Sequence, residues 1–339
     1  MRILRSLSAL LCACFLLQAA LNSSEQQLID AITPAELRAH VSFLASDPLE
    51  GRDTPSKGLD VAAEYIASEF RRAGLQPAGD DGYFQTASFQ GAKVRNVAAI
   101  LPGADRKLKK TFLMVSAHYD HVGKKGAGAE ERIYNGANDD ASGISSMLAL
   151  AEAFARLSER PKRSLLFIAY YGEEKGLVGS HYYAAHPLVP LTRTEADLNL
   201  EHMGRTDDTE GPSLRRLSIT GFDYSTLAGW LQAAGEETGV TIYKHAKNSD
   251  PFFARSDNQA LADAGVPAHT LLAAFIFPDY HQPGDHWEKL DYENMAALTR
   301  TIAVALDRLA NSFQKVEWNA NNPQAASYVE AARELNAAQ

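Results

Sequence analysis

From residue 33 to residue 312 the apolar positions follow two periods. In "TPAELRAHVSFLAS" and "GLDVAAEYIASEFRRAGL" they recur every three or four residues, which predicts amphipathic helices. Thr33 followed by Pro34 marks the start of the first, and Gly74 the end of the second. Beyond Gly74 come short runs that are apolar almost throughout: "NVAAILPG", "TFLMVSAHYD", "SLLFIAYYGEE", "ADLNLEHMG", "RLSITGF" and "PAHTLLAA". Helical stretches separate most of them, namely "SGISSMLALAEAFARL", "LVGSHYYAAH" and "YSTLAGWLQAAGEETG", and "YENMAALTRTIAVALDRLANSF" follows the last. Such strands are buried on both faces, so the pattern predicts one α/β domain, a three-layer α/β/α sandwich around a mixed, mainly parallel sheet.

The chain has 339 residues, 45% hydrophobic and 22% charged, which is globular composition. A net charge of -9 and no basic block longer than "RKLKK" exclude a nucleic-acid or anionic-membrane partner. Residues 1–22 have the form of an export signal: Arg2 and Arg5, then "LSALLCACFLLQAAL", then polar residues. The apolar part is too short for an integral membrane span, so the chain is expected in the periplasm or outside the cell. Both cysteines, Cys12 and Cys14, lie inside it. Cleavage near Ala19 or Ala20 leaves no cysteine and no disulfide. "LCAC" also loosely matches a lipobox with Cys14 as the lipidated residue, although apolar residues continue beyond Cys14. The α/β domain is expected over residues 23–314, with a C-terminal tail over 315–339 that either docks as a helix or frays.

In a parallel sheet, functional groups gather where strands end. His118 and Asp120 close "TFLMVSA"; Asp139 and Asp140 lie in "NGANDDASG", ahead of a helix that Ser142 is placed to cap. Glu173 and Glu174 end "LLFIAYYG", Glu201 ends "ADLNL", and His281 lies in "DYHQPGDHWEKLD". Each has a plain structural explanation alone, but four successive strand ends offering carboxylate or imidazole do not arise by accident. Imidazole and carboxylate without cysteine suit zinc or a similar divalent ion, and one bridging carboxylate lets such a set hold two. Two metals about 3.5 to 4 Å apart are a known device of aminopeptidases. The H-E-x-x-H helix, the G-x-S-x-G elbow and a phosphate-binding glycine loop are all absent from the sequence.

In order and context, "AHYDH", "GANDDASG", "YYGEEKGLVGS", "NLEHMGR", "RSDNQALADAGVP" and "YHQPGDHWEKLD" resemble the co-catalytic di-zinc aminopeptidase family, which also takes in glutamate carboxypeptidase and glutaminyl cyclase relatives. The resemblance runs from Leu37 to Ser312, and "FLASDPLEGRDTPSKGLDVAAEYIASEF" looks like bacterial members. It implies the zinc-peptidase form of the α/β sandwich and two Zn²⁺ per chain, with Asp139 bridging. His118 and Glu201 would complete one site, and Glu174 and His281 the other. Asp120 would accept a hydrogen bond from the far nitrogen of His118 and fix its tautomer. Glu173 would be the general base, and Tyr280 would donate to the developing oxyanion. Glu201 stands where the family more often has aspartate, one methylene shorter. Gln90 to Lys110 leaves no room for the protease-associated insert of some relatives.

The implied activity is removal of N-terminal residues from peptides. A carboxypeptidase or dipeptidase would need a cation for the terminal carboxylate, for which Arg255 is the candidate, unless it forms a structural ion pair with Asp257; both are named as substrate-contacting. A cyclotransferase on one ion and a non-enzymatic binding protein are the other readings. Asp285 is expected to order its loop, His121 and His286 to be structural or rim residues, and "DPFFARSDN" and "AAFIFPDY" to wall the pocket. The oligomeric state is not legible.

Overall fold

The computed structural model describes residues 21–126 and 132–337, so the export segment with Cys12 and Cys14 lies outside the described residues. Eleven strands occur: β1 (Gln76–Pro77), β2 (Phe84–Phe89), β3 (Ala92–Leu101), β4 (Phe112–His118), β5 (Ser164–Tyr170), β6 (Thr194–Glu201), β7 (Asp207–Asp208), β8 (Gly211–Pro212), β9 (Arg216–Ile219), β10 (Thr241–Tyr243) and β11 (Ala268–Leu272). Nine of them form one sheet in the order β1-β3-β5-β4-β6-β11-β9-β10, with β2 also on β3. The central strands β5, β4, β6 and β11 run parallel, and antiparallel pairing begins where β3 and β9 join them. No described helix is long and apolar enough to cross a membrane.

Alternation along the strands sends side chains to two apolar layers. Leu113, Val115 and Ala117 of β4, with Leu165, Phe167 and Ala169 of β5, join one cluster, while Met114, Leu166, Ile168 and Tyr170 join the other. The first layer is roofed by α1 (Ser23–Ala31), α2 (Pro34–Leu44), α3 (Lys57–Arg72), α4 (Ser142–Ala155), α6 (Leu227–Thr238) and α8 (Tyr292–Asn311). The second is covered by α5 (Val178–Ala185), α7 (Asn258–Asp263) and α9 (Ala326–Ala337). Burying one side chain such as Phe167 completely contributes about 1.5 to 3 kcal/mol. Thr33 caps α2, accepting from the Glu36 N–H, and Ser56 caps α3.

Two local expectations change, and one left open between two outcomes is resolved. Ser142 does not cap α4: it lies inside the helix and its hydroxyl donates to the Asn138 carbonyl at 2.7 Å, while Asp140 Oδ1 accepts from the Gly143 N–H at 2.9 Å. The C-terminal tail is docked through α9 and Trp318, whose indole donates to the Gly265 carbonyl at 3.0 Å. A helix, α1, precedes the first one expected, capped by Asn22 in a capping box with Glu25.

The register sets up the chemistry. Ser116 of β4 stands opposite Asn199 of β6, so two residues on, His118 and Glu201 come level on one side of the sheet. Behind this edge Arg52 is wholly buried and gathers chain turns with its guanidinium, donating to the carbonyls of Tyr119 at 2.8 Å, Asn135 at 2.7 Å, Gly136 at 2.9 Å and Leu44. Arg52→Met leaves those carbonyls bare. We expect a loss of about 3 to 5 kcal/mol, read as a lower urea midpoint; an unchanged midpoint would show that the carbonyls find other partners.

Candidate metal centre

Asp139 lies in the turn between β4 and α4, fully packed, around a cis Asp139–Asp140 peptide. Its two oxygens face different neighbours. On the Oδ1 side, His118 Nε2 stands at 3.2 Å and His202 Nε2 at 3.7 Å, with Glu201 Oε1 3.9 Å from His118 Nε2. On the Oδ2 side, His281 Nε2 stands 3.0 Å from both Asp139 and Glu174 Oε1. The five residues expected as ligands from the sequence therefore come together from three strand ends, the turn before α4 and the loop before α8, with Asp139 between the two groups.

The turn is held from behind. Asp285, buried, accepts from the Asn138 N–H at 2.9 Å and the Asp139 N–H at 3.2 Å, so it fixes the backbone that carries the Asp139 carboxylate. Asn138 Oδ1 accepts from Gly204 N–H at 2.8 Å and Arg205 N–H at 2.9 Å, fastening the same turn to the segment after β6. Ser256 donates a short hydrogen bond to Glu201 Oε1, and Asn199 in turn donates to Ser256 at 2.6 Å. The longer Glu201 side chain is thus fixed by a hydroxyl rather than left to swing.

Asp120 does more, and less, than expected. The carboxylate is 3.5 Å from His118 Nδ1, while the Asp120 carbonyl is closer to that nitrogen at 3.2 Å. Its better hydrogen bonds come from the Thr54 hydroxyl and the Glu173 N–H, both at 3.1 Å. Asp120 therefore positions the β5 terminus that carries Glu173 as well as the His118 ring.

Charge is concentrated here. Burial raises Asp139, but His121, His118, His202 and His281 outweigh it and hold the carboxyl well below the usual range. Glu174 is likewise raised by burial and by Asp139, yet His121 and His281 bring it down to about 2. Glu173 goes the other way: burial, opposed by His118 and reinforced by Glu201, Asp257 and Glu174, pushes it well above an ordinary carboxylate. Two adjacent glutamates with opposite shifts suit one to be a ligand and the other a proton carrier.

A cavity of about 370 Å³ opens on the Oδ1 side, walled by His118, Asp139, Glu173, Glu201, His202 and Tyr280 among others. Phe252, Arg255, Ser256 and Phe275 complete the wall, as the two aromatic stretches predicted. Asp257 is not on it: the carboxyl is wholly buried and accepts from Ser180 Oγ at 2.5 Å, because the turn Phe253–Arg255 faces the cavity and α7 carries Asp257 behind it. Arg255 forms no ion pair with Asp257; its guanidinium lies over the Phe252 ring at 4.6 Å. Tyr280 stacks near His281 with ring centres 4.1 Å apart. His286 lies apart, near Asp47 and Trp287.

Two residues had not been placed here. His121, expected as a structural or rim residue, is completely buried beside Glu174, and His202 lines the cavity. Period-two reasoning ends with β4 at His118, so the chain is free to bring His121 round. His202 follows Glu201 with φ of 49°, a left-handed turn that the sequence does not announce. The donor set fits a divalent metal: His121, Asp139, Glu174 and His281 offer ligand atoms all within 4.8 Å of one another, and buried Glu174 Oε1 has no hydrogen-bond partner.

Residues 96–306 match the model of peptidase family M28. The chain belongs to that family. It is similar to a probable zinc metalloprotease of Pyricularia oryzae, 29% identical over 289 residues, covering 78% of this chain and 54% of that protein. It is also similar to leupeptin-inactivating enzyme 1 of Streptomyces exfoliatus, 24% identical over 299 residues, covering 84% and 61%. The chain thus spans between half and two thirds of the length of these two relatives. Its fold is that of the LapA aminopeptidase of Legionella pneumophila, with TM-score 0.68 and 18% identity over 86% of this chain and 76% of that one. The M28 family membership gives the expected α/β sandwich a second, independent footing.

Asp285→Ala removes the acceptor that steadies Asp139 without touching the candidate ligands. We expect zinc affinity, measured by competition with a chelator, to fall roughly 10- to 100-fold. An unaltered affinity would mean that the turn holds its shape unaided.

Proposed function

We propose that the chain is an exported zinc-dependent aminopeptidase that removes N-terminal residues from peptides. The observation that carries this reading is the setting of Glu173: a half-buried carboxyl of raised pKa on the wall of the cavity, beside an aspartate whose two oxygens face two groups of metal-type ligands. His118, Asp139 and Glu201 would hold one zinc, and Asp139, Glu174 and His281 the other. When bound, such a pair supplies Lewis acidity and a water acidic enough to attack near neutrality.

The protein's own groups do the rest. Glu173 takes the proton from the attacking water and returns one to the departing amine nitrogen. Tyr280, on the cavity wall, donates to the carbonyl oxygen as it gains charge. Phe252, Phe275 and Leu272 give the cavity its apolar wall, where the first side chain of the peptide would sit. The LapA aminopeptidase, whose fold is shared, and the metalloprotease relative support this choice within the family.

A second reading has one specific observation in its favour. The Arg255 guanidinium is on the cavity wall with no carboxylate partner among the described residues, which suits a substrate's terminal carboxylate. Free-amine and N-blocked peptides assayed side by side separate the two. The aminopeptidase reading expects turnover of the free-amine set alone, and cleavage confined to blocked peptides would replace it with a carboxypeptidase.

Glu173→Gln should keep its metal by elemental analysis and lose roughly 10² to 10⁴ in kcat. Near wild-type turnover would remove Glu173 from the proton transfer.

A further inference from the structure

We propose that His121 is a fourth protein ligand on the Oδ2 side, binding through Nδ1, so that this ion sits in a closed His121–Asp139–Glu174–His281 site while the Oδ1-side ion stays open to substrate. The inference rests on the reading that the cluster holds metal, and adds to it the ligand and the division of labour.

The geometry around His121 is that of a ligand without its ion. The ring is fully buried, and neither of its nitrogens has a hydrogen-bond partner. Nδ1 is 2.9 Å from Glu174 Oε1 and 3.8 Å from Asp139 Oδ2, yet Nδ1 and Oε1 make no hydrogen bond with each other or with anything else described. Both atoms belong to a set, with Asp139 and His281, whose ligand atoms all lie within 4.8 Å of one another. A bare buried nitrogen beside a bare carboxylate oxygen is costly, and a cation between them removes both costs. The ring is set in place by a tight turn: Gly136 has φ of 59°, and a Cβ there would stand 2.5 Å from His121 Cγ. His281 meets it edge-on with ring centres 5.5 Å apart.

The lining of the cavity divides the two sides in the same way, with His281 reaching solvent at 35% exposure outside it. His118, Glu201 and His202 line the cavity, whereas His121, Glu174 and His281 do not. Four protein ligands and no substrate-facing wall describe a structural zinc; three ligands and an open position describe a catalytic one. The ion held by His121 is therefore the tighter and the slower to exchange.

The test uses the full chain, stripped with a chelator and titrated with zinc. Long-range nitrogen spectra of histidine-labelled wild type distinguish Nδ1-bound from Nε2-bound imidazoles and need no variant. His118, His202 and His281 present Nε2 to Asp139, so one Nδ1-bound ring at saturation identifies His121. His121→Asn should then lose the tighter zinc at least roughly tenfold by calorimetry, with the weaker one unchanged. Two bound zincs with every shifted ring bound through Nε2 would overturn the His121 assignment and leave the proposed function standing. No zinc bound at all would overturn both.

Discussion

A single carboxylate shared between two groups of imidazoles and glutamates is the constraint on which the rest depends. Asp139 has to stay ionised in a place where burial alone would neutralise it, and four histidines on opposite sides achieve that. It also has to stay still. Asp285 takes its backbone N–H, Asn138 ties its turn to the segment after β6, and Arg52 collects the carbonyls of the chain just before it. Each of these partners is buried, so the turn is held by groups that gain nothing from water and have no competing arrangement.

The sheet explains why such distant residues meet. Parallel strands bring their C-terminal ends to one edge, and matching registers put His118 and Glu201 level with each other. The loops after β4, β5 and β6 then deliver Asp139, Glu173 with Glu174, and His202, while the loop before α8 returns His281 from the far side. Beyond the antiparallel junction on one flank, the segment after β10 adds Phe252, Arg255 and Ser256 to the cavity wall.

Much of this was legible because the chain changes character abruptly where strands end. An apolar run that stops in His-x-Asp or Glu-Glu can be assigned to a sheet edge without knowing the neighbours, whereas the choice of five ligands among those residues came from the family resemblance. His121 and His202 were not legible for a conformational reason: one lies past the end of regular alternation and the other in a left-handed turn, so neither period points to its direction. Asp257 was misplaced for the converse reason. It follows Arg255 by two in a compact motif, but Arg255 closes one helical turn and Asp257 stands at the start of α7, with extended Ser256 between them, so the two do not share a face. Helix α1 and strand β2 escaped notice because their burial is too patchy to give a clear period.

The docked tail has a reach beyond its own contacts. Tyr328 lies 5.1 Å from Phe253 and also stacks on Trp318, and Phe253 is flanked in the chain by Phe252 and Arg255 of the cavity wall. Drift in the last two dozen residues can accordingly reshape the cavity wall while Asp139 and Glu173, which follow β4 and β5, are left untouched. Selectivity and reactivity sit on separate mechanical supports, so one can diverge among descendants of this chain without risk to the other.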